Sequence, residues 1–243
     1  MKVRIKFSKT GIIKYIGHLD LMRYFQKALR RTDICVTYSK GFSPHMIMSF
    51  AQPLGVGVES IGEYFDIEVD DGEDVSLFKD KLNAAMAEGI KIIDAYRLPE
   101  DSENAMASVK AADYIIDFYD NMPDLKLLKD TFENNDPITF EKKTKTGSRE
   151  VNIKEYTFSF DKCSLDVLKV RYPESGSAEL SGNEIVFLRL DSSSGGNLKP
   201  ASFLDALFKA SGLELNDFRF HVLRLDLLTE RDNEFISLGK INE

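Results

Sequence analysis

The hydrophobic period of the first hundred residues changes in a definite order, and that order limits the fold more than any other feature. Val3, Ile5 and Phe7 alternate with Lys2, Arg4 and Lys6, the period of two of a half-buried strand. Residues 18–31 then place Leu21, Met22, Phe25, Ala28 and Leu29 on one face of a helix. Alternation returns at Ile34, Val36 and Tyr38, predicting a second strand. A long connection follows, punctuated by Gly41, Pro44, Pro53, Gly55 and Gly57, with a possible short strand at 47–50. Residues 64–69 read as a strand, and Asp71-Gly72 as a turn. Val75, Phe78, Leu82, Ala85 and Met86 predict a second helix that Gly89 stops. Ile90, Ile92 and Ile93 begin a further strand that ends near Leu98-Pro99. The order β-α-β-β-α-β predicts a ferredoxin-like sandwich over residues 1–98, an antiparallel sheet with two helices on one face.

Residues 99–110 are polar and read as a linker or connecting loop. The second half, 111–230, reads as a modified copy. Tyr114, Ile116 and Phe118 predict a strand, and Pro123 opens a helix bearing Leu125, Leu128 and Phe132. Strands are expected at 138–142, 151–160, 165–172 and 184–190. Pro200 opens another helix with Phe203, Leu204, Leu207 and Phe208 inward and Gly212 closing it, and 218–228 is a last strand before a polar tail at 231–243. The expected class is α+β, two tandem ferredoxin-like sandwiches, the second with an extra β-hairpin. Only the order of elements supports the copy; no residue-level repeat does.

Charge is distributed unevenly. The 243 residues carry a net −8, but residues 1–50 hold ten Lys or Arg against Asp20 and Asp33, a net of +8. The rest of the chain carries −16. A local anion-binding face on an otherwise acidic body follows from this asymmetry. Cys35 and Cys163 stand far apart and form neither a disulfide framework nor a metal cluster. Each is expected to be a small buried apolar residue. The N-terminal MKVRIKFS is no signal peptide, and no apolar run approaches the ~20 residues of a membrane span. A cytoplasmic protein without membrane contact is expected.

The chemistry-bearing residues gather in 14–66. Arg23, Lys27 and Arg30 fall at i, i+4 and i+7, with Arg31 beside them, a cationic stripe opposite Leu21 and Phe25. It is either a solvated helix face or a phosphate-binding one. Gly17-His18-Leu19-Asp20 opens the same helix. His18 and Asp20 either cap it and brace the next loop, or supply a general acid/base near neutral pH. In Ser39-Lys40-Gly41-Phe42-Ser43-Pro44-His45, Phe42 either stacks on a base with Lys40 on the backbone, or plugs the core beneath a loop. His18 and His45 together are too few for a catalytic zinc; no metal and no cofactor are expected. The glycines of 53–60 lack both P-loop and dinucleotide patterns. Lys142, Lys143, Lys145 and Arg149 form a second basic cluster on an expected hairpin, and Ser192–Gly196 a loop that could bind an anion at the next helix start, though a plain linker is the simpler reading.

Residues 4–68 resemble the radical SAM-linked protein family. The matching pieces are Arg4-Ile-Lys-Phe, Tyr15-Ile-Gly-His18-Leu-Asp20-Leu, Ala28-Leu-Arg30-Arg31, Tyr38-Ser-Lys-Gly41-Phe-Ser-Pro44-His45, Leu54-Gly55-Val-Gly57 and Glu63-Tyr64. The chain departs from the pattern at Gly17, where the family tends to have Ser. It departs again at Asn152 and Lys154, where an acidic-then-basic pair is favoured. Members of that family occur alone or fused behind a cobalamin-binding radical SAM domain, so the resemblance implies a radical SAM enzyme as partner. This chain has no cysteine triad for the cluster itself. The expected function is a non-catalytic module that binds tRNA or rRNA, through Arg23, Lys27, Arg30, Arg31, Lys40 and Phe42, and presents it to that enzyme. An RNA-cleaving or RNA-modifying enzyme using His18 or His45, with Asp20, is the first alternative. A protein-docking module without nucleic acid is the second.

Overall fold

The computed structural model describes residues 1–119, 121–144, 147–177, 180 and 184–240. The chain runs β1 (Lys2–Lys9), α1 (His18–Leu29), β2 (Met48–Phe50), β3 (Glu59–Glu68), α2 (Phe78–Asn83), β4 (Ile90–Leu98) and α3 (Ala105–Ser108). It continues through β5 (Ala111–Phe118), α4 (Leu125–Asn134), β6 (Thr139–Thr144), β7 (Gly147–Asn152), β8 (Thr157–Ser164), α5 (Leu165–Arg171), β9 (Glu184–Asp191), α6 (Pro200–Ala210), β10 (Phe220–Arg231) and β11 (Glu234–Ser237). The class is α+β with antiparallel strand pairing. Two compact units form: residues 1–110 with the described residues from Asp226 on, and residues 111–225. The strand expected to close the second half therefore divides, its residues from Asp226 joining the first unit.

In the first unit the strands lie in the order β4-β1-β3, with β2 and the later part of β10 on the other side of β3. Alternation sends Val3, Ile5 and Phe7 into a core with Leu21, Phe25 and Leu29 of α1 and Phe50, Phe65 and Ile67 of the sheet. The Phe25 ring lies 4.7 Å from that of Phe65 and 4.8 Å from that of Phe7, within the range of favourable aromatic pairs. Three expectations are corrected here. Residues 34–38 are not a strand: Val36 bridges Val69 and Tyr38 bridges Met46, each alone. The edge of β3 that such a strand would need is occupied by β2, at Phe65–Ile67. The second helix is a 3-10 turn, Val75–Leu77, followed by a short α2 whose Phe78 and Leu82 are buried. Residues 99–110 are no loose linker: Asn104 caps α3 through a 3.0 Å bond from the Ala107 N–H, and Ala105 is buried.

The second unit orders its strands β10-β5-β9-β8, with β6–β7 as a separate hairpin. The strand expected at 165–172 is the helix α5. Ser164 accepts a bond from the Val167 N–H, Asp166 stands in its first turn, and Lys169 and Arg171 in its last, the charge order that a helix dipole favours. The strand expected at 151–160 is broken by a 3-10 turn at Ile153–Tyr156, where the Asn152 side chain accepts from the N–H groups of Lys154 and Ile138. The expected extra hairpin is present as β6–β7, but a ferredoxin-like copy does not describe this element order, which carries three helices, α4, α5 and α6, among the described residues. Cys35 is exposed and Cys163 half-buried, so neither is the buried apolar residue expected; the Cys35 thiol is pushed up chiefly by its hydrogen bond with Glu73.

Candidate functional site

α1 forms because Leu21, Phe25, Ala28 and Leu29 recur on one face and all are buried. Gly17 takes the N-cap position without a side-chain bond, and Asp20 in the first turn complements the helix dipole. Arg23, Lys27 and Arg30 point away from the core and are exposed. Arg23 meets Asp20 at 3.4 Å, a pair so exposed that it holds little energy. Lys27, Arg30 and Lys40 have no ion-pair partner among the described residues. Arg31 departs from the stripe: its Nη2 donates to the Ala85 carbonyl at 2.8 Å.

The loop from Ser39 to His45 is closed on itself. The Ser39 N–H donates to the His45 carbonyl at 2.8 Å, and the His45 N–H donates to Ser39 Oγ at 3.1 Å. Ser39 Oγ also lies 2.9 Å from His45 Nδ1. Gly41 sits at φ 122°, a conformation that favours glycine. The loop raises Phe42 into solvent, fully exposed, with Lys40 exposed two residues before it. Phe42 is therefore not a core plug.

His18 lies elsewhere. Its ring meets Phe50 edge-on at 5.5 Å. Burial lowers its pKa below 6.5; nearby Glu63 opposes that shift and Lys9 adds to it. The space beside it, lined by Lys9, Leu21, Phe50 and Glu63, is a cavity of about 10 Å³. That is at the lower limit for one water molecule, so no substrate enters it in this conformation. His45 is engaged with Ser39, and no bond or ring contact joins it to His18. Asp20 is exposed and contacts Arg23. Among the described residues no three His, Cys, Asp or Glu side chains gather as a metal set.

Sequence reasoning missed the fate of the strand cations. Arg4 is fully buried and grips Asp66 with two bonds, 2.8 and 3.0 Å, from directly across the β1–β3 ladder. Lys6 lies 3.7 Å from Asp226 and 5.7 Å from the centre of the Tyr64 ring. The Tyr64 hydroxyl donates to Asp226 at 2.6 Å, and burial with this carboxylate beside it pushes the phenol far above its ordinary range. Lys9 Nζ donates to the carbonyl of Ile16 at 2.7 Å, and Lys14 pairs with Glu59 at 3.5 Å. Arg4, Lys6 and Lys14 are thus met by carboxylates inside the first unit. For Arg4 the signal was present: Asp66 stands on the strand that the sandwich layout pairs with β1. In the second unit Asp113 and Arg189 repeat the two-bond pairing across β5 and β9 at 2.7 and 2.8 Å.

Of the second basic cluster, Lys145 lies outside the described residues; Lys142 and Lys143 line a cleft beside α6. No described helix is long and apolar enough to cross a membrane.

None of the curated proteins matches the chain. Among solved structures it is similar to a chain of a Cbf5-Nop10-Gar1 complex, at TM-score 0.46 and 10% identity over 93% of this chain and 48% of that one. It is also similar to a chain of the archaeal box H/ACA sRNP Nop10-Cbf5 complex, at 0.40 and 9% over 91% and 46%. A third is an H/ACA RNP bound to a substrate RNA containing 2'-deoxyuridine, at 0.41 and 10% over 95% and 47%. The chain spans about half the length of these solved chains, and likenesses this loose carry no argument about its role. A family model does match, over residues 2–200. The chain belongs to the family described as "Uncharacterized protein conserved in bacteria (DUF2344)".

Proposed function

We propose that the first unit is an RNA-binding module whose contact surface is the outer face of α1 and the Ser39–His45 loop. The observation that carries this reading is Phe42, held fully in solvent on a self-bonded loop that also bears Lys40. An exposed phenylalanine on a preformed loop is a stacking platform for an unpaired base, and cations without carboxylate partners attract its phosphates. Lys27, Arg30 and Lys40 would contact the backbone, joined by Arg23 on release from its exposed pair with Asp20; Arg31, tied to Ala85, would contribute less. tRNA and rRNA, with single-stranded loops, are the substrates in view. Delivery of that RNA to a radical SAM enzyme rests on the resemblance of residues 4–68 alone. Titration of fluorescein-labelled tRNA and a single-stranded RNA with wild-type protein and with Lys27→Gln/Arg30→Gln/Lys40→Gln tests the surface. Weaker, less salt-dependent binding by the variant supports it; identical curves sink it.

A second reading, docking of a protein partner, is favoured by the exposed apolar residues Ile12, Tyr15 and Leu19 leading into α1. Complexes that survive nuclease treatment, in a protein without RNA affinity, would select it. The cavity of about 10 Å³ at His18 gives no support to acid/base catalysis there.

A further inference from the structure

A cleft of the second unit lies between β6 and one side of α6, from its first turn to its last, with a volume of about 890 Å³. That is within the ~300–1,000 Å³ of small-molecule sites. Lysines reach it from three segments: Lys142 and Lys143 from β6, Lys199 from the residue before α6, and Lys209 from its last turn. Against them stand Glu141 and Asp205. Glu141 accepts a hydrogen bond from Ser148. Lys143, Lys199 and Lys209 are exposed and have no ion-pair partner among the described residues. Lys142 is held in place, donating to the Gly196 carbonyl at 2.7 Å. Burial lowers its pKa first, and Arg149 and Lys199 lower it further, against Asp191; positive charge is concentrated here.

Two other features match one ligand class. Phe140, half-buried, is an aromatic residue of the cleft wall. At the other side, the Ala201 and Ser202 N–H groups in the first turn of α6 have no acceptor among the described residues. Free first-turn donors add to the attraction of the lysines for phosphate oxygens.

We propose that this cleft binds a nucleotide: the polyphosphate held by Lys142, Lys143, Lys199 and the α6 first turn, the base against Phe140. The ligand is a free nucleoside triphosphate or the triphosphorylated 5′ end of an RNA strand, which share this chemistry. The proposal is independent of the RNA surface on the first unit.

The test is a fluorescence titration of the whole protein with MANT-ATP at low salt, followed by competition. Saturation with Kd below about 1 mM is expected, with displacement by inorganic triphosphate and none by adenosine. Lys143→Glu/Lys199→Glu should weaken binding by about tenfold or more, the scale of losing two charge-assisted contacts. Both lysines are exposed, so the melting temperature should hold; Lys209→Gln serves as a milder second variant with a smaller effect. A ten-nucleotide RNA with a 5′-triphosphate competing better than ATP, and better than its 5′-hydroxyl twin, would identify the RNA end; ATP competing better would identify the free nucleotide. Absence of saturation by about 1 mM, with the two RNAs indistinguishable, would overturn the proposal. Binding that survives Lys143→Glu/Lys199→Glu would overturn it too, and its loss in Lys27→Gln/Arg30→Gln would place the ligand on the first unit instead.

Discussion

Replacing Asp66 by alanine should destabilise the protein by about 3–5 kcal/mol, the cost of removing one partner from a buried ion pair. Arg4 is fully buried and stays charged, because a guanidinium does not lose its proton in a protein. Its two good bonds, 2.8 and 3.0 Å, both go to Asp66. The remaining acceptors, the carbonyls of Leu238 and Glu103, lie at 3.4 and 3.3 Å and cannot replace a carboxylate. The Ala105 N–H, which donates to Asp66 at 2.6 Å, would be orphaned in the same step. These losses share one group and do not add. At about 2–4 °C per kcal/mol for a chain of this size, the melting temperature should fall by about 6–20 °C. Urea unfolding at neutral pH, followed by circular dichroism, measures the free energy. Asp66→Asn, which keeps the shape and one acceptor, should lose less than Asp66→Ala. Lys27→Gln, on the outer face of α1, should stay within about 0.5 kcal/mol. A loss under about 1 kcal/mol for Asp66→Ala would mean that water already solvates Arg4, and the division of the N-terminal cations into internal and outward-facing sets would fail.

Three further outcomes follow from the same structure. If Lys27 and Arg30 contact phosphates, each change to Gln should reduce the slope of log K against log salt for single-stranded RNA by about 0.7; a slope unchanged between about 50 and 200 mM salt would remove them from the interface. Burial lowers the pKa of His18 from 6.5, so the folded state binds fewer protons than the unfolded chain just below that value. Its stabilising effect is present above pH 6.5 and is lost as pH falls through the window down to the folded pKa. An NMR titration of the His18 ring should have its midpoint below 6.5; a midpoint at or above 6.5 contradicts the packing on Phe50. Gly89 has φ +88°, and a Cβ there would stand 2.7 Å from the Thr10 carbonyl oxygen. Gly89→Ala should cost more than about 1 kcal/mol in the same urea assay, and a neutral result would show that the β1–α1 connection yields.

The parts of the fold that the sequence exposed are those set by local period. The helical spacing selects the buried residues of α1, Leu21, Phe25, Ala28 and Leu29, and the alternation finds the apolar face of β1, whose polar face is buried as well. What the sequence hid depends on pairing over distance. Ile34, Val36 and Tyr38 alternate like a strand, yet β2 holds the β3 edge they would need, and only isolated bridges remain. Residues 165–171 hold enough Leu and Val to read as a strand, but Ser164 and the charge order start and finish a helix. The cations of β1 looked like surface because nothing local shows Asp66 and Asp226 arriving from 62 and 220 residues away. At the candidate site, the outward stripe of α1 was legible from spacing. The exposure of Phe42 was not, since a loop aromatic reads equally as core, and the Ser39–His45 bonds decide it.

The most direct test of the RNA reading is the anisotropy of a fluorescein-labelled single-stranded RNA titrated with wild type and with Phe42→Ala, beside their melting curves. Phe42 touches solvent alone, so the melting temperatures should coincide. Loss of one base stack should weaken binding by about 1–3 kcal/mol. Equal affinity in the two proteins, or no RNA binding by wild type at low salt, would contradict the account and move the first unit to the protein-docking reading.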